Sequence, residues 1–143
     1  SSDVCSSDLA LERKNMEDRY LFRAQRDNRK WVVGYLYRLS ELYNPFIMSP
    51  DSGGYSCEVD INTVCQCTGL EDKNGNRIWE NDIIKTRVGI AKVVWDKSEW
   101  RIEWLKNDLW RKDLYYWAAE DIQRVEVIGN IFDNKELLKS EEK

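Results

Sequence analysis

Three cysteines, Cys57, Cys65 and Cys67, fall in a C-x7-C-x-C spacing that invites metal or redox chemistry. A closed tetrahedral zinc site needs four ligands, and the chain has no histidine to complete the set. On a strand, Cys65 and Cys67 point to one face, so they read as small buried side chains, and no metal or cofactor is expected. The run Asp72-Lys73-Asn74-Gly75-Asn76 alternates oxygen-bearing side chains as a calcium loop does. An EF-hand loop needs Gly at its sixth position, whereas here Gly75 is fourth and Arg77 sixth. Asn74-Gly75 instead marks a two-residue hairpin turn, because both residues tolerate positive φ. On that reading Gly75→Val should damage folding more than Asp72→Ala. Glu80, Asp82, Asp108, Asp113 and Glu120 are numerous enough for an acid and base pair, yet nothing in their spacing fixes a separation. The lack of histidine also removes every Ser-His-Asp or Cys-His nucleophile, and no Gly-rich phosphate loop is present. A non-enzyme is expected, with a carboxylate-based enzyme the remotest alternative.

Two further groups could act by binding. Residues 13–38 hold eight Lys or Arg against three acids, a local surplus of five in a chain whose net charge is −4. Within it Arg23, Arg26, Arg29 and Lys30 interleave with Trp31, Tyr35 and Tyr37, the composition of a surface that tracks a nucleic-acid backbone and stacks bases. The blander reading, a solvated hairpin turn facing acidic neighbours, is preferred given a pI of about 5.0. The second group is Trp95, Trp100, Trp104, Trp110 and Trp117, too many large rings for one small core. Trp95, Trp100 and Trp104 are assigned to a C-terminal core, and Trp110 and Trp117 to a homo-oligomer interface.

The elements that would position these residues are mostly strands. With 143 residues, 42% hydrophobic and 12% aromatic, the chain can bury a core despite 34% charge. Strand patterns occupy 20–24, 31–39, 58–68, 82–85, 89–95, 100–105, 114–117 and 124–128, punctuated by turn residues. Trp100, Ile102 and Trp104 alternate with Arg101 and Glu103, the period of a half-buried strand. Gly34, inside an aromatic and β-branched run, signals a bulge or close backbone approach. Asp133 and Glu136 have capping-box spacing, which starts a short helix over 134–138. The count predicts an all-β protein of small barrel-like subdomains with a short C-terminal helix. No apolar stretch nears the ~20 residues needed to cross a bilayer, so a soluble protein of the reducing cytoplasm, without a membrane partner, is expected. Residues 1–9 read like translated sequencing adapter, so 1–15 are expected to be a dispensable, non-native tail with Met16 as the start.

Residues 63–83, Thr-Val-Cys-Gln-Cys-Thr-Gly-Leu-Glu-Asp-Lys-Asn-Gly-Asn-Arg-Ile-Trp-Glu-Asn-Asp-Ile, resemble the signature of the YopX family of phage and prophage proteins. Residues 127–138, Val-Ile-Gly-Asn-Ile-Phe-Asp-Asn-Lys-Glu-Leu-Leu, resemble its closing motif, and Phe22-Arg23-Ala24 with 31–35 its opening strands. The chain departs from the pattern at Cys65 and Asn81, where Gly is usual or common, at Cys67, usually aromatic, and at Lys135, commonly Pro. The resemblance implies one domain over 16–143, with an N-terminal β part over 16–68 and a C-terminal part over 69–143 like an SH3 barrel. It also implies a homo-oligomer in the cytoplasm of a bacterial host, and no activity. The leading expectation is therefore an accessory protein acting by binding or structure. The alternative is a nucleic-acid-binding module built on the basic N-terminal hairpin.

Overall fold

In a computed structural model, residues 17–49, 53–106, 111–119 and 125–139 are described. The expected tail and the candidates Asp108, Trp110 and Glu120 lie outside them. The chain is mostly antiparallel β-structure with few short helices, and divides into two compact units between Gly69 and Leu70.

The first unit is a sheet of strands ordered β4-β3-β2-β1-β5, formed by β1 (Phe22–Gln25), β2 (Trp31–Tyr37), β3 (Phe46–Met48), β4 (Ser56–Glu58) and the start of β5 (Cys65–Glu71). Residues paired across a ladder share a side, so Ala24 with Val32, and Leu36 with Ile47, point together. Ala24, Ile47 and Val59 form the buried centre, with Phe22, Val32, Leu36 and Val64 packed on it. The close approach anticipated at Gly34 is present: a Cβ there would overlap the Met48 carbonyl oxygen. The strand pattern over 58–68 is interrupted by a 3-10 turn, Ile61–Thr63, because the Asp60 carboxylate accepts the Asn62 N–H and caps it.

The second unit begins with a hairpin from the end of β5 into β6 (Arg77–Trp79). It continues into a four-stranded sheet ordered β10-β7-β8-β9, made by β7 (Asp82–Lys85), β8 (Ile90–Asp96), β9 (Glu99–Trp104) and β10 (Glu126–Asn130). The segment expected to be a strand at 114–117 is instead helix α1 (Leu114–Ala119). Its aromatic composition suggests a strand, but Leu114, Trp117 and Ala118 recur at helical spacing. Leu114 and Trp117 are buried while Tyr115 is exposed. The chain beside β9 makes, among the described residues, one isolated bridge, Arg101 to Asp113, before turning helical. Among the described residues no ladder joins β9 to β10, so the expected all-β architecture is present as an open sheet and the barrel is not closed. The core comprises Ile78, Ile84, Ala91, Val93, Ile102, Leu114, Trp117 and Val125. The C-terminal helix α2 spans Lys135–Lys139.

Turn chemistry departs from expectation in an informative way. At 72–76 the Asp72 N–H donates to the Asn76 carbonyl (2.8 Å) and the Gly75 N–H to the Asp72 carbonyl (3.0 Å), with Gly75 at φ 81°. This is a three-residue loop whose last residue is left-handed, not a two-residue turn. The β1–β2 connection repeats it: Arg26 N–H to Lys30 carbonyl, Arg29 N–H to Arg26 carbonyl, and Arg29 at φ 64°. The two-residue turn with both residues left-handed lies at Lys97 (φ 52°) and Ser98 (φ 62°), between the paired Asp96 and Glu99. Neither residue favours that region, which costs an L-residue roughly 1–2 kcal/mol. Replacing Lys97-Ser98 by Asn-Gly should therefore raise stability by about 1 kcal/mol, read as a higher denaturation midpoint at unchanged slope. An unchanged or lower midpoint would show that the turn is not strained.

Candidate binding surfaces

Strand alternation decides where the basic hairpin points its side chains. Because Ala24, Val32 and Leu36 face the core, their neighbours Arg23, Trp31, Val33, Tyr35 and Tyr37 lie on the opposite, outer face. The ladder to β3 places Met48 beside Tyr35 and Phe46 beside Tyr37 on that face. The Arg23 guanidinium sits over the Trp31 ring, 4.6 Å from its centroid, a cation–π contact. Tyr37 stacks on Phe46 with centroids 5.4 Å apart and planes 14° from parallel. Tyr35, Tyr37 and Met48 remain 43%, 40% and 37% exposed in the middle of the sheet.

The structure sorts the four basic candidates. Arg23 lies on the aromatic face. Arg29 and Lys30 are exposed at the turn, where the Lys30 N–H donates to Asn28 Oδ1 (3.0 Å). Arg26 instead lines a concavity of about 330 Å³ with Asp27, Asn44, Glu58, Val59 and Asp60, and so shares it with three carboxylates.

The loop joining β2 to β3 is a feature that sequence reasoning missed. Arg38 donates from Nε to the Tyr43 carbonyl (2.9 Å) and from Nη2 to the Glu41 carbonyl (3.2 Å), and Ser40 Oγ accepts the Leu42 N–H (3.0 Å). This ordered loop displays Leu39, Leu42 and Tyr43 at 73%, 88% and 61% exposure. The available signal was three large apolar residues in a segment whose Ser40, Asn44 and Pro45 offer no strand or helix to bury them.

The tryptophans exchange roles. Trp117, assigned to an oligomer interface, is only 4% exposed and belongs to the core. It packs edge-on against Trp104 (5.3 Å, 86°), and both indole N–H groups donate to the Arg111 carbonyl (3.2 Å each). Trp95, assigned to the core, is 55% exposed because it lies beside the β8–β9 turn, against Trp100 at 4.9 Å. The interface expected at Trp117 is thus corrected: its helix turns the ring inward.

The carboxylates with shifted pKa values are structural. For Asp72, burial acts to raise the pKa, but hydrogen bonds from the Val127, Asn76 and Asn74 N–H groups outweigh it and hold the carboxyl below its ordinary 3.8. The Asp113 carboxyl is held low by the Arg111 side-chain hydrogen bond, against burial, with Arg111 Nε 2.6 Å from Oδ1. Asp82, 1% exposed, accepts the Trp79 N–H at 2.8 Å. Cys65 and Cys67 are buried, and Cys65 Sγ donates to the Thr63 carbonyl (3.2 Å). Among the described residues no three His, Cys, Asp or Glu side chains are grouped to hold a metal.

Asp72 also reverses the expected mutational order. Its Oδ1 accepts the Asn74 and Asn76 N–H groups (2.9 Å each) and its Oδ2 the Val127 N–H (3.0 Å). A Cβ at Gly75 meets nothing within 4 Å, so Gly75→Val adds only backbone strain. Asp72→Ala should cost about 2–4 kcal/mol, since each buried donor left unsatisfied costs about 1–3, and exceed Gly75→Val at about 1–2. The lowered pKa fixes the sign with pH: the Asp72 contribution is present above pH 3.8 and is lost as pH falls through the lower folded-state value. Acid titration of denaturation midpoints should show Asp72→Asn flattening this limb.

A family model described as YopX protein matches residues 21–139. No curated protein matches the chain.

Proposed function

The chain belongs to the YopX family, and from that premise we propose a non-catalytic accessory protein of phage or prophage, working in the host cytoplasm by binding and assembled as a homo-oligomer. The observation that carries this reading is the β2–β3 loop, with Leu39, Leu42 and Tyr43 exposed on a backbone tied by Arg38 and Ser40. A loop whose backbone is already held loses less entropy on docking, so burying its apolar side chains between copies yields more of the transfer free energy as association. A monomer seldom carries such a patch without use. The partner of one copy's loop is a second copy of the chain, which replaces Trp117 with a surface that folding leaves open.

Light scattering and sedimentation across micromolar concentrations test this. The wild type should form a closed oligomer, and Leu42→Asp with Leu39→Ser should weaken association by at least about tenfold, or 1.4 kcal/mol. Thermal stability should hold, because neither side chain packs in the core. A wild-type protein that stays monomeric at the highest concentrations sinks the proposal.

A further inference from the structure

The outer face of β2 is a surface separate from that loop. Sheets open to water on one side usually present polar side chains there. Here the central strand presents Trp31, Val33, Tyr35 and Tyr37, flanked by Phe46 and Met48 on one side and Arg23 on the other. None of the outward side chains of β1, β2 and β3 is a carboxylate. The positive charge collects at one end of the strand, where the β1–β2 turn exposes Arg29 and Lys30 next to Trp31.

We propose that the outer face of β2, from Trp31 through Tyr35 to Tyr37, is a stacking platform for single-stranded nucleic acid, with Arg29 and Lys30 holding its phosphates. Alternate side chains on a strand are about 6.8 Å apart, a step comparable with the advance per nucleotide of an extended single strand. Tyr35 and Tyr37 therefore offer rings to successive bases. Phe46 backs the Tyr37 ring, which fixes one platform before any base arrives. At the basic end Arg23 covers Trp31 and is itself half-buried, with its Nε inaccessible and its neighbour Cys65 fully buried, so the rings open to a base are those of Tyr35 and Tyr37. Of the nearby acids, Glu58 is paired with Phe46 at the β4 edge of this face, where its Oε1 accepts from Asn44 Nδ2 (3.1 Å), and with Asp27 and Asp60 it lines the concavity that Arg26 also lines. Arg26 is accordingly not counted among the phosphate contacts, and two to three cations remain. That number sets a shallow salt dependence, a slope of log affinity on log salt of about −1.4 to −2 for a single strand.

The test is fluorescence anisotropy of a labelled oligothymidylate and of a duplex of equal length, at stepped salt concentrations, with the full-length protein. Saturable binding of the single strand with that slope, and at least about tenfold weaker binding in Tyr35→Ser with Tyr37→Ser, is the expected result. Arg29→Ser with Lys30→Ser should flatten the slope by about 1.4. This second variant changes only an exposed turn, so it decides the question even if the tyrosine variant fails to fold. Duplex bound as tightly as single strand would overturn the proposal, because paired bases have no open faces. Unchanged affinity in a folded tyrosine variant, or no binding by wild type at low salt, would also overturn it. So would a tyrosine variant that loses self-association instead of oligonucleotide binding, since the face would then join copies. Sedimentation without oligonucleotide reads the loop-mediated assembly separately, so either idea can fail alone.

Discussion

The C-terminal unit is organised around one carboxylate. Asp72 stands at its first turn and accepts the N–H of Val127, 55 residues further along the chain, as well as those of Asn74 and Asn76. Two contacts beside it do the same job: the Lys73 N–H donates to the Val125 carbonyl (2.9 Å), and Lys73 Nζ meets Glu126 at 2.9 Å. The ion pair is about 40% exposed at each end and contributes little. The buried carboxylate matters more, because without it three part-buried N–H groups would lose their partner at once. Closing so long a loop costs entropy that the contacts made on closure must offset. Once β10 is held there, it pairs with β7, and the order β10-β7-β8-β9 follows. The ladder accommodates this with a bulge between Val127 and Gly129, next to the N–H that Asp72 takes.

Turns elsewhere are set by register rather than by residue preference. Among the described residues, four non-glycines, Arg29, Asn81, Lys97 and Ser98, have positive φ, and only asparagine tolerates that region well. The flanking pairs fix how many residues each loop contains, and the backbone then accepts the strain. The loops at 26–30 and 72–76 show this, since the same hydrogen bonds form around Arg29 in one and Gly75 in the other. A cation therefore occupies a turn position that usually carries glycine.

These features explain what the sequence made legible. Alternation exposed β9 and the core side of β2, and Gly34 announced its contact with Met48, because a strand's period and a missing Cβ are local properties. The Asn74-Gly75 signal located a turn but not its length, which depends on the Asp72–Asn76 pairing across it. α1 was hidden because Tyr115, Tyr116 and Trp117 favour a strand by composition while their burial follows a helical period. The reversal of Trp95 and Trp117 has the same root, since burial depends on distance from a turn or on the facing of a helix, and not on ring size. The charge count found the basic hairpin. It could not separate Arg26 from Arg29 and Lys30, because two of the three acids around Arg26, Glu58 and Asp60, come from a distant part of the chain, through contacts that the sequence does not order.

The site follows from what β2 is. It is a central strand, paired along its first half with β1 and along its second with β3, so each half of its backbone is held by one neighbour. A strand held in this way presents its outer side chains at a constant spacing, with little freedom to lose on contact. At one end it meets a basic turn and at the other it runs into the apolar loop, so one rigid element carries two chemically different surfaces. Leu39 and Leu42, at 73% and 88% exposure, contribute little to folding, and Tyr35 and Tyr37 keep 43% and 40% of their surface open. The shifted carboxylates show the opposite economy: Asp72 and Asp113 are held below their ordinary pKa by N–H groups and a guanidinium, away from the range a general acid needs near neutrality. In this chain the ionisable groups with lowered pKa values hold the fold, and the side chains that the fold leaves exposed are those suited to contact.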